Sequence, residues 1–203
     1  MTRWTDAVGE GSAERYAERF TALEASGADV HGEADFCEGL VPPGALVLDA
    51  GCGTGRVSIE LSRRGFRCVG VDVDSSMIEH ARRVAPANRW LERDLATLDL
   101  PERFDLVLAA GNVIPLLAPG TEAQTVHRVT AHLAEGGVLV AGWGLDVAHL
   151  PLESVPFGLA EYDGWCGEAG LALVARFTTW DREPYTGGGY AVTVHRRGGD
   201  QSA

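Results

Sequence analysis

The sequence predicts an α/β fold: a doubly wound, seven-stranded sheet that is mostly parallel and ends in an antiparallel hairpin. Short apolar runs alternate with segments of helical periodicity, as expected when helices cover both faces of a parallel sheet. The last two apolar runs are joined by the turn-rich stretch REPYTGGG, 182–189, which indicates a hairpin at or near the sheet edge.

Strands are predicted at 45–50, 66–72, 88–94, 103–111, 137–143, 171–181 and 189–195, where the apolar runs lie. Helical stretches at 11–26 and 30–40 precede the first strand, and a further helix is predicted at 157–169. Caps are predicted for three helices that follow strands: Thr54 before the first, and the capping-box pairs Ser76–Glu79 and Thr121–Gln124 before the next two. The helix that starts near Thr121 is expected to end at Gly136-Gly137.

The composition fits one domain of 203 residues with a full core, 45% hydrophobic and 23% charged. The formal net charge of −12 and the absence of a basic run disfavour a nucleic-acid substrate. Four widely spaced cysteines without a CxxC pair predict neither a metal site nor a disulfide framework. Without an apolar leader or a segment of membrane-spanning length, we expect a cytoplasmic protein that makes no membrane contact.

The stretch LDAGCGTGR, residues 48–56, follows the first apolar run and carries Gly51, Gly53 and Gly55 at alternate positions. Glycines there permit positive φ angles and let a ligand lie against bare peptide. In doubly wound sheets ligands bind beyond the carboxyl ends of the strands, where this turn lies. A turn that only connects strand to helix would show the same glycines, so the pattern alone leaves both interpretations open.

Two further residues limit the class of ligand that this turn can bind. Arg56 stands where the dinucleotide fingerprint G-x-G-x-x-G requires its third glycine. Asp72 ends the second predicted strand, 21 residues after Gly51, where a carboxylate can accept both hydroxyls of a ribose. The sequence therefore predicts a ligand that contains a ribose and lacks the pyrophosphate of a nicotinamide dinucleotide.

Four stretches together, LDAGCGTGR, VGVDVDSSMIEHAR, FDLVLAAGN and HLAEGGVLVAGW, resemble the motifs of class I S-adenosylmethionine-dependent methyltransferases. The resemblance covers about residues 30–195 and is similar to the small stand-alone bacterial type that acts on small molecules. It implies a single domain over 1–203, with an N-terminal helical lid at 1–43, a Rossmann-like core at 44–197 and a flexible tail at 198–203.

The resemblance also implies the cofactor, S-adenosylmethionine, and its contacts. These contacts are Asp49, Ala50, Gly51 and Gly53 for the methionine part, Asp72 for the ribose, Val73, Met77, Asp94 and Leu95 for the adenine, Ala110 and Gly111 for the ammonium group, and Tyr16 and Arg19 for the carboxylate. Three carboxylates suit a positively charged cofactor better than an anionic phosphate.

The acceptor is expected beyond the fourth and fifth strands. The candidate wall residues are Asn112, Trp143, Asp146 and His149. The 182–189 loop begins on the same side and adds Asp181 and Tyr185, while Trp180 fits either a lid or the core. Asn112, His149 and Tyr185 are the candidate catalytic residues. His149 fits a general base for a hydroxyl acceptor, although a plain surface histidine is the more common case. His127 and His132 are expected to be solvated or half-buried, and His195 exposed.

Three functions are compatible with parts of this pattern. A small-molecule methyltransferase comes first, and the apolar stretch VIPLL, 113–117, favours an uncharged or aromatic acceptor. The absence of an obvious catalytic base keeps open a non-catalytic S-adenosylmethionine-binding sensor or partner subunit. Arg56 argues against the third, a nicotinamide-dependent oxidoreductase. The sequence does not decide between a monomer and a homodimer.

Overall fold

A computed structural model describes residues 2–8 and 13–198 of the chain and contains one seven-stranded sheet. The strands are β1 (Leu46–Ala50), β2 (Arg67–Asp72), β3 (Arg89–Glu92), β4 (Phe104–Ala109), β5 (Leu133–Gly144), β6 (Leu171–Phe177) and β7 (Tyr190–Arg197). Their order across the sheet is β3-β2-β1-β4-β5-β7-β6. β7 runs antiparallel to β5 and β6, and the other pairs are parallel, so the predicted fold class is confirmed.

Seven helices are described in these residues. They are α1 (Arg3–Val8), α2 (Ala13–Ala25), α3 (Gly32–Glu38), α4 (Arg56–Arg63), α5 (Ser75–Val84), α6 (Glu122–Ala131) and α7 (Leu159–Glu168). The sequence predicted α2 to α7 but not α1, which has only six residues. The predicted tail at 198–203 lies outside the described residues except for Gly198.

Neighbouring residues of the central strands alternate between two apolar clusters, because successive side chains of a strand point to opposite faces. On one face Leu48 of β1 packs with α6 and α7. On the other face Val47 packs with α3 and α4. Both faces of the sheet are therefore covered, which explains the uninterrupted apolar runs in the sequence.

The predicted capping boxes are wrong because other groups take the hydrogen bonds. Asp74, rather than Ser76, caps α5, and its carboxylate accepts from the Ser76 backbone N at 2.9 Å. Thr121 does precede α6, but its hydroxyl donates to the Ala118 carbonyl and makes no capping bond. The Gln124 amide donates across to the Ala96 carbonyl at 2.8 Å. Only the Ala96 carbonyl lies in a distant segment, and the other two bonds join near neighbours in the sequence.

The boundary between α6 and β5 also differs from the prediction. α6 ends at Ala131, and β5 begins at Leu133, which pairs with Phe104 ahead of a register shift in β4. His132 lies between the two elements and is buried, so its expected half-exposure is wrong. Its Nε2 accepts from the Leu100 backbone N at 2.9 Å, which ties the end of α6 to the loop before β4.

His195 is 1% exposed, which contradicts the expectation of an exposed residue. The reason is strand order: β7 lies between β5 and β6 instead of at the edge, so its side chains face the interior. Burial lowers the pKa of His195, and its ring lies edge-on to Tyr162 with centroids 5.5 Å apart. β6 forms the edge of the sheet, so the hairpin lies at the sheet edge, as predicted from the turn-rich stretch 182–189.

Among the described residues no helix has the length and apolarity to cross a membrane. The same part of the chain holds no group of three or more His, Cys, Asp or Glu side chains arranged to hold a metal ion.

Candidate functional site

A cavity opens at the carboxyl ends of β1, β2 and β4 and is lined by the loops that follow these strands. From β1 the chain proceeds to β2 and β3 on one side, whereas β4 and β5 lie on the other side. The strand order therefore reverses between β1 and β4. Ligands of doubly wound sheets bind at such a reversal, so the cavity is the candidate active site.

The glycine turn forms the floor of the cavity, and a different local constraint requires glycine at each of its three positions. Backbone N–H of Gly51 donates to the Val71 carbonyl at 2.8 Å, and a Cβ on Gly51 would lie 2.5 Å from the Val113 side chain. A Cβ on Gly55 would lie 2.4 Å from the Trp90 ring. Both glycines are therefore required by packing as well as by φ angles of 79° and 84°.

Gly53 is the glycine that faces open space. Its φ is 53°, and the nearest atom to an added Cβ is Cε1 of Tyr16, 3.9 Å away. A ligand can therefore lie against this peptide. Gly55 is the N-cap of α4 and has no side-chain capping bond, so the capping role predicted for Thr54 is wrong.

Asp72 is fixed by two backbone donors at the end of β2. Its Oδ2 accepts from the Gly53 N at 2.8 Å, and its Oδ1 accepts from the Asp74 N at 3.0 Å. Burial raises the pKa of this carboxyl. A carboxylate offers about four acceptor positions, so each oxygen retains a lone pair for a further donor such as a sugar hydroxyl.

Asp49, in β1, is the most deeply buried acid of the cavity, with 3% of its surface exposed. The Ser58 hydroxyl donates to its Oδ2 at 2.7 Å. Burial raises the pKa of Asp49 to about 6, although the bond from Ser58 and the charge of Arg56 oppose the shift. Its charge therefore responds to any cation that enters the cavity.

The opposite end of the cavity is formed by the loops after β2 and β3. Met77 is buried, Val73 is 41% exposed, and Leu95 begins a single 3-10 turn. Asp94 caps that turn, since its Oδ1 accepts from the Ala96 N at 2.8 Å. This end combines apolar surface with one carboxylate, a combination that suits a flat heterocycle with an amino edge.

Aromatic side chains from the segment before β1 close the cavity from above, and we call Trp4, Tyr16 and Phe20 the aromatic roof. The centroid of Tyr16 lies 6.1 Å from that of Trp4 and 5.1 Å from that of Phe20. The Trp4 indole N–H donates to Asp74 Oδ2 at 3.1 Å, which fastens the roof to the N-terminus of α5. Sequence reasoning identified Tyr16 and missed the other two.

Sequence reasoning also missed the ion pair between Arg56 and Glu33, both of which line the cavity. The guanidinium donates to the two Glu33 oxygens at 2.5 and 3.0 Å, donates to the Val30 carbonyl, and stacks 4.4 Å from the Phe20 ring centroid. Phe20, Glu33 and Arg56 line a second pocket as well. Its other residues are Leu23, Asp29, Val30, Gly32, Thr179, Trp180 and Asp181.

Most of the residues assigned to the cofactor from the sequence are brought together here. Eleven of the thirteen line the cavity: Tyr16, Asp49, Gly51, Gly53, Asp72, Val73, Met77, Asp94, Leu95, Ala110 and Gly111. Two do not. Ala50 is buried in β1, and Arg19 is exposed on α2.

The three candidate catalytic residues lie outside the cavity lining. Asn112 links two loops, because its amide donates to the His149 carbonyl at 3.0 Å and its Oδ1 accepts from the Gly144 N at 2.7 Å. His149 is half-exposed, with its Nδ1 2.7 Å from Asp146. The Tyr185 hydroxyl donates to the Gly188 carbonyl at 3.3 Å.

The other predicted wall residues are divided between core and surface. Trp143 is 1% exposed and packs on Tyr162, 4.5 Å between centroids, so its assignment to a substrate wall is wrong. Asp146 is half-buried beside His149. Trp180 and Asp181 line the second pocket, and the Trp180 indole donates to the Tyr190 hydroxyl at 3.2 Å.

Comparison with known proteins agrees with this geometry. A family model described as a methyltransferase domain matches residues 47–137. An uncharacterized methyltransferase of Mycobacterium tuberculosis is 32% identical over 152 residues, 70% of either chain. The crystal structure of a TehB-like SAM-dependent methyltransferase from Corynebacterium glutamicum superposes with a TM-score of 0.81 and 32% identity, covering 91% of this chain and 97% of that one.

A further relative is named for a protein acceptor. A ribosomal protein L11 methyltransferase of Caldanaerobacter subterraneus is 33% identical over 111 residues, which are 52% of this chain and 34% of that enzyme.

Proposed function

We propose that the methyl acceptor of this chain is a small molecule. The premise is that the chain belongs to the class I S-adenosylmethionine-dependent methyltransferases. S-adenosylmethionine is the cofactor, and when bound it supplies a methyl group activated on a positively charged sulfur. The residues present fit that group: Gly53 leaves open space beside its peptide, and Asp49, Asp72 and Asp94 give the cavity the negative charge that a sulfonium needs.

Within this proposal each part of the cavity holds one part of the cofactor. The two oxygens of Asp72 accept the ribose hydroxyls, because both are already aligned by backbone donors. Met77, Leu95 and the free side of Asp94 hold the adenine. The glycine turn, with Asp49 beneath it, holds the methionine part. The aromatic roof, which belongs to the predicted lid, excludes water.

The observation that carries the small-molecule acceptor is the pocket beside the methionine end. That end is covered by Tyr16 and Phe20 and borders the second pocket, whose wall is partly apolar through Leu23, Val30 and Trp180. A concave, partly apolar pocket of this kind suits a small ligand. The reaction then depends mainly on alignment and on exclusion of water, and the described lining residues include carboxylates but no histidine.

The L11 methyltransferase makes a protein acceptor the alternative to be tested. Its similarity covers 52% of this chain and 34% of that enzyme's length, so most of that enzyme has no counterpart in the match. The partly apolar pocket beside the methionine end therefore supports the small-molecule acceptor.

A labelled-methyl assay tests the proposal directly. The enzyme is incubated with methyl-labelled S-adenosylmethionine and a bacterial extract. Proteins are then retained on a filter, and the small molecules of the filtrate are separated from unreacted cofactor by chromatography. We expect a labelled small-molecule product in the filtrate, and we expect the Asp72→Ala variant, the control for cofactor-dependent transfer, not to form it. Label that enters only retained proteins would overturn the small-molecule acceptor and favour a protein substrate.

A further inference from the structure

The carboxylate of the methionine part needs a cationic partner in a cavity whose charged lining residues are mainly acids. Arg19, the residue expected from the sequence to supply it, is exposed and does not line the cavity. Among the described lining residues the only positively charged side chain is that of Arg56. In the sequence analysis Arg56 served only as an argument against a dinucleotide ligand. Its guanidinium is 18% exposed.

Arg56 lies at the methionine end of the proposed cofactor position. It is the first residue of α4, directly after the glycine turn, and its charge acts on Asp49. The adenine end, with Met77 and Asp94, belongs to the loops after β2 and β3. A cation at one end and an apolar surface at the other match the two ends of the cofactor.

The present partner of Arg56 is itself a carboxylate. Glu33 receives both forks of the guanidinium, and Phe20 supplies the ring on which the guanidinium stacks. All three residues line both the cavity and the second pocket, so the ion pair forms part of the partition between them. Glu33 belongs to α3 and Arg56 to α4, which allows the two side chains to separate without moving the glycine turn.

We propose that Arg56 binds the methionine carboxylate of the cofactor and releases Glu33 in exchange. The planar guanidinium pairs with either carboxylate through the same two parallel hydrogen bonds, so the exchange preserves its charge pairing. Glu33 then faces the second pocket, which also contains Asp29 and Asp181, and the pocket gains an unpaired negative charge. Cofactor binding thereby prepares the acceptor side, and the cofactor binds first.

The inference rests on the cofactor position proposed above, and calorimetry with two ligands separates the two. S-adenosylmethionine and its decarboxylated analogue differ only in the carboxylate. We expect Arg56→Gln to weaken S-adenosylmethionine about tenfold to a hundredfold, the range for a lost charged hydrogen bond, and to leave the analogue nearly unchanged. Arg19→Gln, the matched control on exposed surface, should preserve the wild-type ratio of the two affinities.

Glu33→Gln should change the affinity for S-adenosylmethionine in the opposite direction. Removing the competing carboxylate should tighten S-adenosylmethionine binding several-fold, whereas the cationic analogue should bind equally or more weakly. A pair that only stabilises the fold would give unchanged or weaker binding of both ligands. Thermal unfolding of each variant without ligand shows that it is folded, and Arg56→Lys, which keeps the charge but loses the fork, should fall between wild type and Arg56→Gln.

Two results would overturn the exchange. If wild type and Arg56→Gln show the same ratio of affinities for the two ligands, Arg56 does not hold the carboxylate. If Arg19→Gln alone changes that ratio, the lid arginine does. In both cases weakened binding of both ligands by Asp72→Ala would leave the proposed cofactor position standing, and unchanged binding in that variant would remove the position as well.

Discussion

Replacing Asp49 with asparagine tests whether the buried carboxylate of Asp49 serves to bind the positively charged cofactor. The structure gives the size of the effect: burial raises the pKa of Asp49 from 3.8 to about 6. Roughly two pKa units correspond to about 3 kcal/mol of preference for the neutral form in the folded protein. Asparagine keeps the oxygen that accepts from Ser58 and carries no charge.

The sign of the pH dependence follows from proton linkage. Well below pH 3.8 the carboxyl is protonated in both folded and unfolded chains, so Asp49 carries no penalty there. As the pH rises from 3.8 to about 6, the unfolded chain loses a proton that the folded chain still binds, and stability falls until the folded carboxyl is ionised as well. Asp49→Asn lacks this loss. We expect it to be more stable than wild type at pH 7 by up to about 3 kcal/mol and nearly equal at pH 4.

Urea unfolding followed by circular dichroism from pH 4 to pH 8 measures this difference, because the other titrating groups are common to both proteins. Calorimetry completes the test: Asp49→Asn should weaken S-adenosylmethionine more than S-adenosylhomocysteine, whose sulfur is neutral. Ser58→Ala, which removes a bond that lowers the Asp49 pKa, should move the wild-type transition to higher pH. A variant less stable than wild type at pH 7, or equal weakening of both ligands, would refute the reasoning.

Three further substitutions have expected outcomes. Asp72→Ala should weaken both S-adenosylmethionine and S-adenosylhomocysteine by at least tenfold in calorimetry, given about 1.5–3 kcal/mol for charged hydrogen bonds. Gly51→Ala should lower the unfolding free energy by more than Gly65→Ala: both positions have positive φ, but an added Cβ lies 2.5 Å from Val113 at the first and in open space at the second. Asn112→Ala should lower it by about 1–3 kcal/mol in urea unfolding, because two backbone groups lose their partner.

The parts of the structure that the sequence predicted are those determined by neighbouring residues. The sheet was visible because each central strand is a continuous apolar run followed by a turn, and the reversal of strand order places the glycine turn and Asp72 at one edge. Gly53 and Asp72 are joined by a hydrogen bond between two segments that the sequence had already identified.

The parts that were missed depend on contacts between distant segments. α1 is too short to be stable alone. It is fastened by Arg3, whose guanidinium donates to Glu122 at 2.7 Å and to the Pro115 carbonyl at 3.2 Å, more than 100 residues away. The burial of Trp143 and His195 likewise follows from the insertion of β7 beside β5, and no local pattern encodes that order.

Arg56 is the case in which a local rule would have found the residue. Side chains of a helix tilt toward its N-terminus, so the first residue of α4 points back toward the glycine turn and the cavity. The spacing G-x-G-x-G-R therefore places a cation beside Asp49, and besides the Glu33 that pairs with Arg56 the cavity offers the carboxylates of Asp49, Asp72 and Asp94. The cofactor carries two positive groups and one negative group, so the proposed exchange at Glu33 lets the single cation of the lining meet the single anion of the ligand.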